Sequence, residues 1–351
     1  MKNTGITVLT QTKWIAIFFT IRPFVYINRN DVKIRYTKSI NYCLTKDQNN
    51  IIVIVGKVKS NYSFIELIEK FRFKYDKIVY FHNGSTPVID VSVIKRVDKY
   101  LMRNAYIDKA LYIGNGNNVN LVHRYFYKKI HNEEQGTSNR NNLNLLDLEK
   151  MKVAWSLGIG TYPSKRYSMN VAIRIIRWFN IWRLPIKLVS LGSYLDIEKQ
   201  ELVHSIASFH KDEIIDYQRN YIYKKFKDNK KFLLEKVSQR NFNRLLALSK
   251  ITVSPFGFGE VCFRDFEAIL AKSLLIKPDM SHIDTWPNVY IPFITYVPVK
   301  WDLSDLEEKI NYYISNNEER QKIVESAYSH LNLQRSRINM RVQEIVDFIL
   351  D

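Results

Sequence analysis

The residues best suited to chemistry lie in one segment, residues 254–282, with the sequence SPFGFGEVCFRDFEAILAKSLLIKPDMSH. Its first part is typical of a strand end, a turn with Gly257 and Gly259, and a helix predicted over residues 261–271. The N–H groups and dipole at such a helix start attract an anion such as a diphosphate, and glycine lets the backbone approach it closely. A turn with a purely structural role fits the same residues.

Charged residues with helical spacing follow the turn. Glu260 and Glu267 are seven residues apart, and Arg264 lies between them. This spacing is about 20° short of two helical turns, so one helix face would present carboxylate, guanidinium and carboxylate. These groups bind the hydroxyls of a ribose and the charge of a phosphate. The alternative is a salt-bridge ladder on a solvated face, but the carboxyl end of a strand favours a ligand site.

Other candidates lie outside this helix. Arg219, in the polar stretch DYQRNYIYKK, and Lys277, at a strand end, could neutralise a diphosphate, with a surface charge as the alternative for each. His82 follows the predicted strand KIVYF and is the first candidate for a general base, with Asp90 second. Glu260 is a further catalytic candidate. The sequence contains no Asp-x-Asp triplet, so we expect neither a metal nor another cofactor.

Alternating strands and helices must position these residues. Between residues 51 and 113 we predict strands at 51–55, 77–81 and 110–113, with helices at 64–73 and 93–103. In the second half we predict strands at 187–191, 250–254, 273–277 and 294–297, and a helix at 303–313. Such alternation produces parallel sheets with right-handed crossovers. The sequence therefore predicts an α/β protein with two Rossmann-like domains.

Composition and charge narrow the class of protein. The chain has 351 residues, 46% of them hydrophobic, and a formal charge of +18, which excludes a disordered or fibrous protein. Residues 1–150 carry 24 Lys and Arg against 12 Asp and Glu, so the basic excess lies mainly there. It would attract nucleic acid, an anionic membrane surface or a phosphorylated substrate. The apolar run at residues 14–21 is too short to span a membrane, and we predict a buried strand.

The segment around residue 260 resembles the donor-binding half of GT-B glycosyltransferases, in particular bacterial group 1 and exostosin-like enzymes of surface-polysaccharide synthesis. The resemblance is dense over residues 240–330 and is carried by SPFG at 254–257, GE at 259–260, FRDFEA at 263–268, KPDMSH at 277–282, TYVP at 295–298 and WDL at 301–303. In this group a glycine often follows the helix, where this sequence has Lys272.

The resemblance implies two domains that face each other across a cleft: an acceptor domain at residues 1–150 and a nucleotide-sugar donor domain at 151–335. Residues 336–351 would form a helix that packs on the first domain, and residues 151–163 a hinge or a strand and turn. Glu267 would bind ribose hydroxyls, and Arg264 and the amides after Gly257 would face the diphosphate. Arg219 and Lys277 would complete the donor site.

The implied activity is transfer of a sugar, of the hexosyl type, from a nucleotide-sugar to a glycan or lipid-linked diphosphate acceptor, without a metal. The O-antigen, capsule and lipopolysaccharide are the expected products. The implied location is the cytoplasm, with possible attachment to the anionic inner face of the membrane, and no nucleic-acid partner is expected. A sugar-nucleotide epimerase of the same fold and a non-catalytic protein that binds polyanions or nucleic acid are the alternatives.

Overall fold

A computed structural model describes residues 4–11, 20–27, 30–114, 117–133, 142–159, 175 and 197–351 of the chain. Most of the strand predicted at residues 14–21, all of the strand predicted at 187–191 and the second part of the segment at 151–163 lie outside these residues. Everything below concerns the described residues.

The first domain is built on a parallel sheet of six strands in the order β2-β1-β3-β4-β5-β7. The strands are β1 (Thr4–Leu9), β2 (Val32–Thr37), β3 (Ile51–Val55), β4 (Lys77–His82), β5 (Lys99–Met102) and β7 (Met151–Val153). Its helices are α1 (Ile40–Thr45), α2 (Phe64–Arg72), α3 (Val91–Ile94), α4 (Leu121–His131) and α5 (Leu145–Glu149). β7 pairs with β5, so this sheet extends past the boundary predicted at residue 150.

Local sequence explains why these elements form. Every residue of β3, with the sequence IIVIV, is buried, as expected for a central strand covered on both faces. α2 begins with a capping box in which Ser63 and Glu66 bond to each other's backbone N–H groups. Its apolar face then buries Leu67, Ile68 and Phe71 against the sheet.

The second domain contains a five-stranded parallel sheet in the order β13-β11-β10-β8-β9. The strands are β8 (Gln200–His204), β9 (Phe232–Leu233), β10 (Ser249–Val253), β11 (Leu274–Pro278) and β13 (Val297–Val299). Its helices are α6 (Glu213–Phe226), α7 (Gln239–Leu248), α8 (Phe263–Leu270), α9 (Leu306–Ser315) and α10 (Asn317–Ser336). Lys272, after α8, adopts the left-handed conformation (φ 52°) that usually favours glycine.

Two features join the domains. The short strands β6 (Asn104–Tyr106) and β12 (Ile283–Thr285) pair as an antiparallel ribbon, in which Ala105 faces Asp284. The last helix, α11 (Ile338–Leu350), returns to the first domain, where Val342, Ile345, Val346 and Ile349 join the core formed with β1, β3 and β4. The chain therefore passes from the first domain through the second, and α11 then packs on the first domain.

The α/β class and the two Rossmann-like domains predicted from the sequence are confirmed. Two elements of the first domain were predicted wrongly. Residues 93–103 contain the end of α3 and the strand β5 rather than one helix. Residues 109–112 form a single 3-10 turn rather than a strand, because the side chain of Asp108 accepts a hydrogen bond from the N–H of Ala110 and caps the turn.

Candidate functional site

The glycine turn connects β10 to α8, as the sequence predicts, but the helix begins later than predicted. α8 starts at Phe263, and the N–H of Cys262 at its N-cap donates to Asp265 (3.0 Å). Glu260 therefore lies in the turn, and the predicted helix face with Glu260, Arg264 and Glu267 is wrong for its first member. Arg264 and Glu267, three residues apart on α8, do share a face.

Asp265 is a buried residue that sequence reasoning missed. Its carboxylate accepts hydrogen bonds from Ser254 Oγ (2.5 Å) and Tyr290 Oη (2.6 Å), and it pairs with Lys277 Nζ (3.2 Å). The available signal was its position, since an acidic residue at the third position of a helix commonly accepts from the N-cap. These contacts fix the strand end, the turn and the helix start as one rigid unit.

Lys277 is buried and paired with an acid. Its side chain is fully buried, pairs with Asp265 and donates to the carbonyl of Ser254 (3.4 Å). A buried cation held by a carboxylate and a carbonyl has a structural role beneath the turn. These contacts favour a structural role, and the role of Lys277 toward a leaving diphosphate stays a prediction.

Arg219, in contrast, is brought to the glycine turn. A Cβ on Gly257 would lie 3.2 Å from its Nη2. Asp216 pairs with Nη1 at 2.8 Å, and the side chain of Arg219 is only 9% exposed. The guanidinium is thus oriented by α6 and presents its remaining N–H groups beside the turn.

Arg264 and Glu267 lie in a poorly solvated environment behind the turn. Burial lowers the pKa of Arg264, and the charge of Arg219 lowers it further. Burial raises the pKa of Glu267 to about 7, although the charge of Arg264 opposes this shift. His204, at the end of β8, is fully buried, and burial together with the charge of Arg264 lowers its pKa to about 3. A neutral imidazole therefore lies beside the arginine.

Glu260 is a buried carboxylic acid that faces the first domain. It is 1% exposed, and neither of its carboxylate oxygens has a hydrogen-bond partner in the described part of the chain. Burial raises its pKa to about 7, against the lowering effects of its own backbone N–H and of Lys277. Burial and the charge of Glu260 both raise the pKa values of Tyr106 and Tyr112 in the first domain. An unsatisfied acid at this position is available to a ligand hydroxyl.

His82 ends β4, one residue later than the predicted strand end, and is held between aromatic rings. Its ring centroid lies 6.1 Å from that of Tyr80 and 5.8 Å from that of Tyr100. Burial lowers the pKa of His82 to about 4. The charge of Asp90 raises this pKa, and the charge of Arg103 lowers it further. The imidazole is therefore neutral at physiological pH, and burial disfavours its protonated form.

Asp90 is already engaged. Its carboxylate pairs with Lys57 (2.9 Å) and accepts from Ser92 Oγ (2.6 Å). Burial raises the pKa of Asp90, but these two contacts outweigh burial and lower the pKa overall. A carboxylate stabilised in this way is a poor general base, and its charge acts on His82 instead.

The loop after β4 and the glycine turn after β10 are in contact. Ser85 Oγ donates to the carbonyl of Phe258 (3.2 Å), and a Cβ on Gly259 would lie 2.0 Å from the carbonyl oxygen of Ser85. Glycine is therefore required at position 259 by the close approach of the first domain. The structure brings the His82 loop to the donor-side turn, although the two were predicted from segments far apart in the sequence.

Two kinds of feature are absent from the described residues. They contain no group of three His, Cys, Asp or Glu side chains that could hold a metal ion. No helix among them combines the length and the hydropathy that a transmembrane span requires.

The part of the chain that contains the glycine turn resembles a known protein family. Residues 201–347 match the model of a family described as glycosyl transferase-like. This match confirms the resemblance inferred from residues 254–303 and covers the glycine turn, α6 and α8. The sequence matches no curated protein.

Several solved structures are similar to this protein over nearly the whole length of both chains. HepE of Anabaena in complex with UDP-glucose is 10% identical, with a TM-score of 0.46, over 98% of this chain and 99% of that chain. A glycosyltransferase from Rickettsia africae ESF-5 is 11% identical, with a TM-score of 0.48, over 99% and 98%. A UDP-N-acetylglucosamine 2-epimerase is 8% identical, with a TM-score of 0.45, over 99% and 96%.

Proposed function

We propose that this protein is a glycosyltransferase that moves a sugar from a nucleotide-sugar to a hydroxyl of an acceptor. The observation that carries the proposal is the arrangement of Arg219 and Arg264 with Glu267 around the glycine turn, within the segment that matches a glycosyl transferase-like family. The two guanidinium groups suit a diphosphate, and the carboxylate suits the hydroxyls of a ribose.

The proposed reaction uses groups from both domains. Arg219, Arg264 and the amides of the turn would stabilise negative charge on the leaving diphosphate, so no metal is invoked. Glu260, buried and without a hydrogen-bond partner among the described residues, would bind a hydroxyl of the donor sugar. His82, neutral at physiological pH, would take the proton from the acceptor hydroxyl.

The acceptor and the cellular setting are further parts of this proposal. The first domain would hold a glycan or lipid-linked acceptor of bacterial surface-polysaccharide synthesis, and the transferred group would be a hexose. Its basic excess, 24 Lys and Arg against 12 Asp and Glu in residues 1–150, would suit an anionic acceptor at the inner membrane face.

A thermal-stabilisation panel tests the donor assignment. UDP-, GDP-, ADP- and CMP-sugars are added separately to the purified protein with EDTA present, because a ligand that binds the folded state raises the melting temperature. We expect one nucleotide class to raise it. Stabilisation by none of the four would contradict the proposal, and conversion of the donor to its epimer without any acceptor would replace it with an epimerase.

A second experiment tests the base. His82→Gln should lower kcat by about 10²- to 10⁴-fold, the usual contribution of general-base catalysis, and leave nucleotide affinity unchanged. An equal loss of affinity would place His82 in binding rather than in proton transfer. The control is His131→Gln, on the exposed end of α4.

A further inference from the structure

A buried arginine lies where the two domains meet, and no role in the donor site uses it. Arg103 connects β5 to β6 and is 8% exposed. Its backbone carbonyl accepts from Thr285 Oγ1 of the second domain (3.3 Å). Arg103 therefore lies at the root of the interdomain ribbon, at the carboxyl edge of the first sheet.

The charge of Arg103 is not balanced by a carboxylate. Its Nη1 donates to the carbonyl of Asn83 (2.9 Å), and no ion pair of Arg103 occurs in the part of the chain that the structure describes. Burial lowers its pKa to about 10, and no neighbouring acid counteracts that shift. Buried cations are usually paired with an acid, as Lys277 is elsewhere in this fold, where its buried ammonium pairs with Asp265. A buried cation without a counterion is costly unless an anion arrives in the working state.

The surroundings of Arg103 belong to the acceptor side of the cleft. Asn83, its hydrogen-bond partner, follows His82 directly, and the charge of Arg103 contributes to the low pKa of His82. The same loop continues to Ser85, which contacts the glycine turn. An anion bound to Arg103 would thus lie near the proposed base and on the side of the first domain.

We propose that Arg103 binds an anionic group of the acceptor, a phosphate or a carboxylate, and so selects negatively charged acceptors and orients them toward His82. This inference rests on the proposed function, because only a transferase needs an acceptor site separate from the donor site. The guanidinium would supply the charge-assisted hydrogen bonds that such groups prefer.

The test is a second binding event on the protein that is already loaded with nucleotide. UDP, or whichever nucleoside diphosphate the panel identifies, is held at saturation, and binding of inorganic pyrophosphate is measured by calorimetry. Malonate in a parallel titration distinguishes a carboxylate preference from a phosphate preference. We expect one of the two anions to bind wild type and to bind Arg103→Met about tenfold more weakly or worse.

Two variants serve as controls. Arg72→Met removes an arginine that is paired with Asp98 (2.7 Å) at the opposite edge of the same sheet, and it should leave the second binding event unchanged. Arg103→Lys keeps the positive charge and should restore part of the affinity. Equal anion affinity in wild type and Arg103→Met, or no anion binding by wild type, would overturn the proposal.

Stability separates this role from a merely structural one. If Arg103 is an uncompensated charge, Arg103→Met should melt at the same temperature as wild type or higher in anion-free buffer. A lower melting temperature would mean that Arg103 stabilises the fold through its hydrogen bond to Asn83, and the proposal would fail. If no nucleotide binds wild type but Arg103-dependent pyrophosphate binding persists, the transferase assignment fails and the anion site stands.

Discussion

The side chains around the glycine turn combine charge with burial. Glu260 is 1% exposed and Glu267 is 5% exposed, and burial raises the pKa of each to about 7. Arg264 lies between them in sequence, and its own pKa is lowered by burial. In such a poorly solvated place, charged hydrogen bonds to a ligand are stronger than they would be at the surface.

Arg264→Met should therefore weaken nucleotide binding. A hydrogen bond between charged groups contributes about 2 kcal/mol, which corresponds to roughly 30-fold in the dissociation constant measured by calorimetry. The matched control is Lys322→Met, because Lys322 is 71% exposed on α10 and pairs with Glu318 on the surface. If Arg264→Met and the control bind nucleotide equally well, the proposed diphosphate site is wrong.

Glu260 should make stability depend on pH. Its pKa is raised from 4.5 to about 7 in the folded protein, so the folded state binds more protons than the unfolded state between these values. The contribution of Glu260 to the free energy of unfolding is consequently lost as the pH rises from 4.5 to about 7. Glu260→Gln removes the loss, and at about pH 8 we expect it to melt higher than wild type, by about 1–2 °C for each kcal/mol recovered.

The difference should vanish at low pH, where Glu260 is protonated in both states. Glu318→Gln, a change of an 86% exposed carboxylate, should show no pH-dependent difference. Identical melting curves for Glu260→Gln and wild type at about pH 8 would mean that the carboxylate finds a partner in solution.

Residue types at the site were predictable, but their partners were not. The sequence pointed to Arg264 and Glu267 because charge and glycine cluster after a strand, and to Arg219 as a basic residue in a polar stretch. It could not show that Lys277 is paired with Asp265, because that contact depends on how Tyr290 and Ser254 pack around the carboxylate. Arg103 gave no sequence signal at all, since its isolation from acids is a property of the assembled interface.

At the scale of elements, the turn after β10 is defined by two glycines with different surroundings. A Cβ at Gly259 would meet the backbone carbonyl of Ser85 at 2.0 Å, whereas the nearest atom to one at Gly257 would be Nη2 at the end of the Arg219 side chain, at 3.2 Å. The backbone at Ser85 cannot move away without displacing part of the first domain, whereas the Arg219 side chain can change its rotamer.

Gly259→Ala should accordingly destabilise the protein by about 1–3 kcal/mol in urea unfolding, the usual cost of overpacking. Gly257→Ala is the matched control and should cost less, although it should displace Arg219 and weaken nucleotide binding. Equal stability of the two variants would contradict the close contact between the turn and the first domain.

Strands were easier to predict than helix starts. The run at residues 51–55 is continuously apolar, the run at 77–81 is apolar after Lys77, and both are buried in a parallel sheet as predicted. Residues 93–103 have helical spacing yet contain β5, because pairing with β4 and β7 outweighs local preference. Likewise, the start of α8 is set by the bond from the N–H of Cys262 to Asp265, which no periodicity reveals.

At the scale of the whole molecule, the domains share a core. One buried cluster includes Tyr106 and Tyr112 of the first domain together with Phe256 and Val261 of the second. The ribbon of β6 and β12 adds backbone hydrogen bonds across the same boundary. Separate unfolding of one domain would expose apolar surface on the other.

We therefore expect a single cooperative transition in calorimetry, with the calorimetric enthalpy equal to the van't Hoff enthalpy. Nucleotide should shift the entire transition upward, not one part of it. Two resolved transitions, of which only one responds to nucleotide, would show that the domains unfold independently despite the shared core.

The return of α11 to the first sheet has a consequence for biosynthesis. The face formed by Ile6, Val8, Val53 and Val79 packs against Val342, Ile345, Val346 and Ile349, which are translated after the strands of both sheets. During translation of residues 154–337 that face lacks these four side chains, and it would attract chaperones that bind apolar surface. Nascent chains stalled before residue 338 should be more sensitive to protease in the first domain than released full-length chains. Equal sensitivity would mean that the sheet is protected without its last helix.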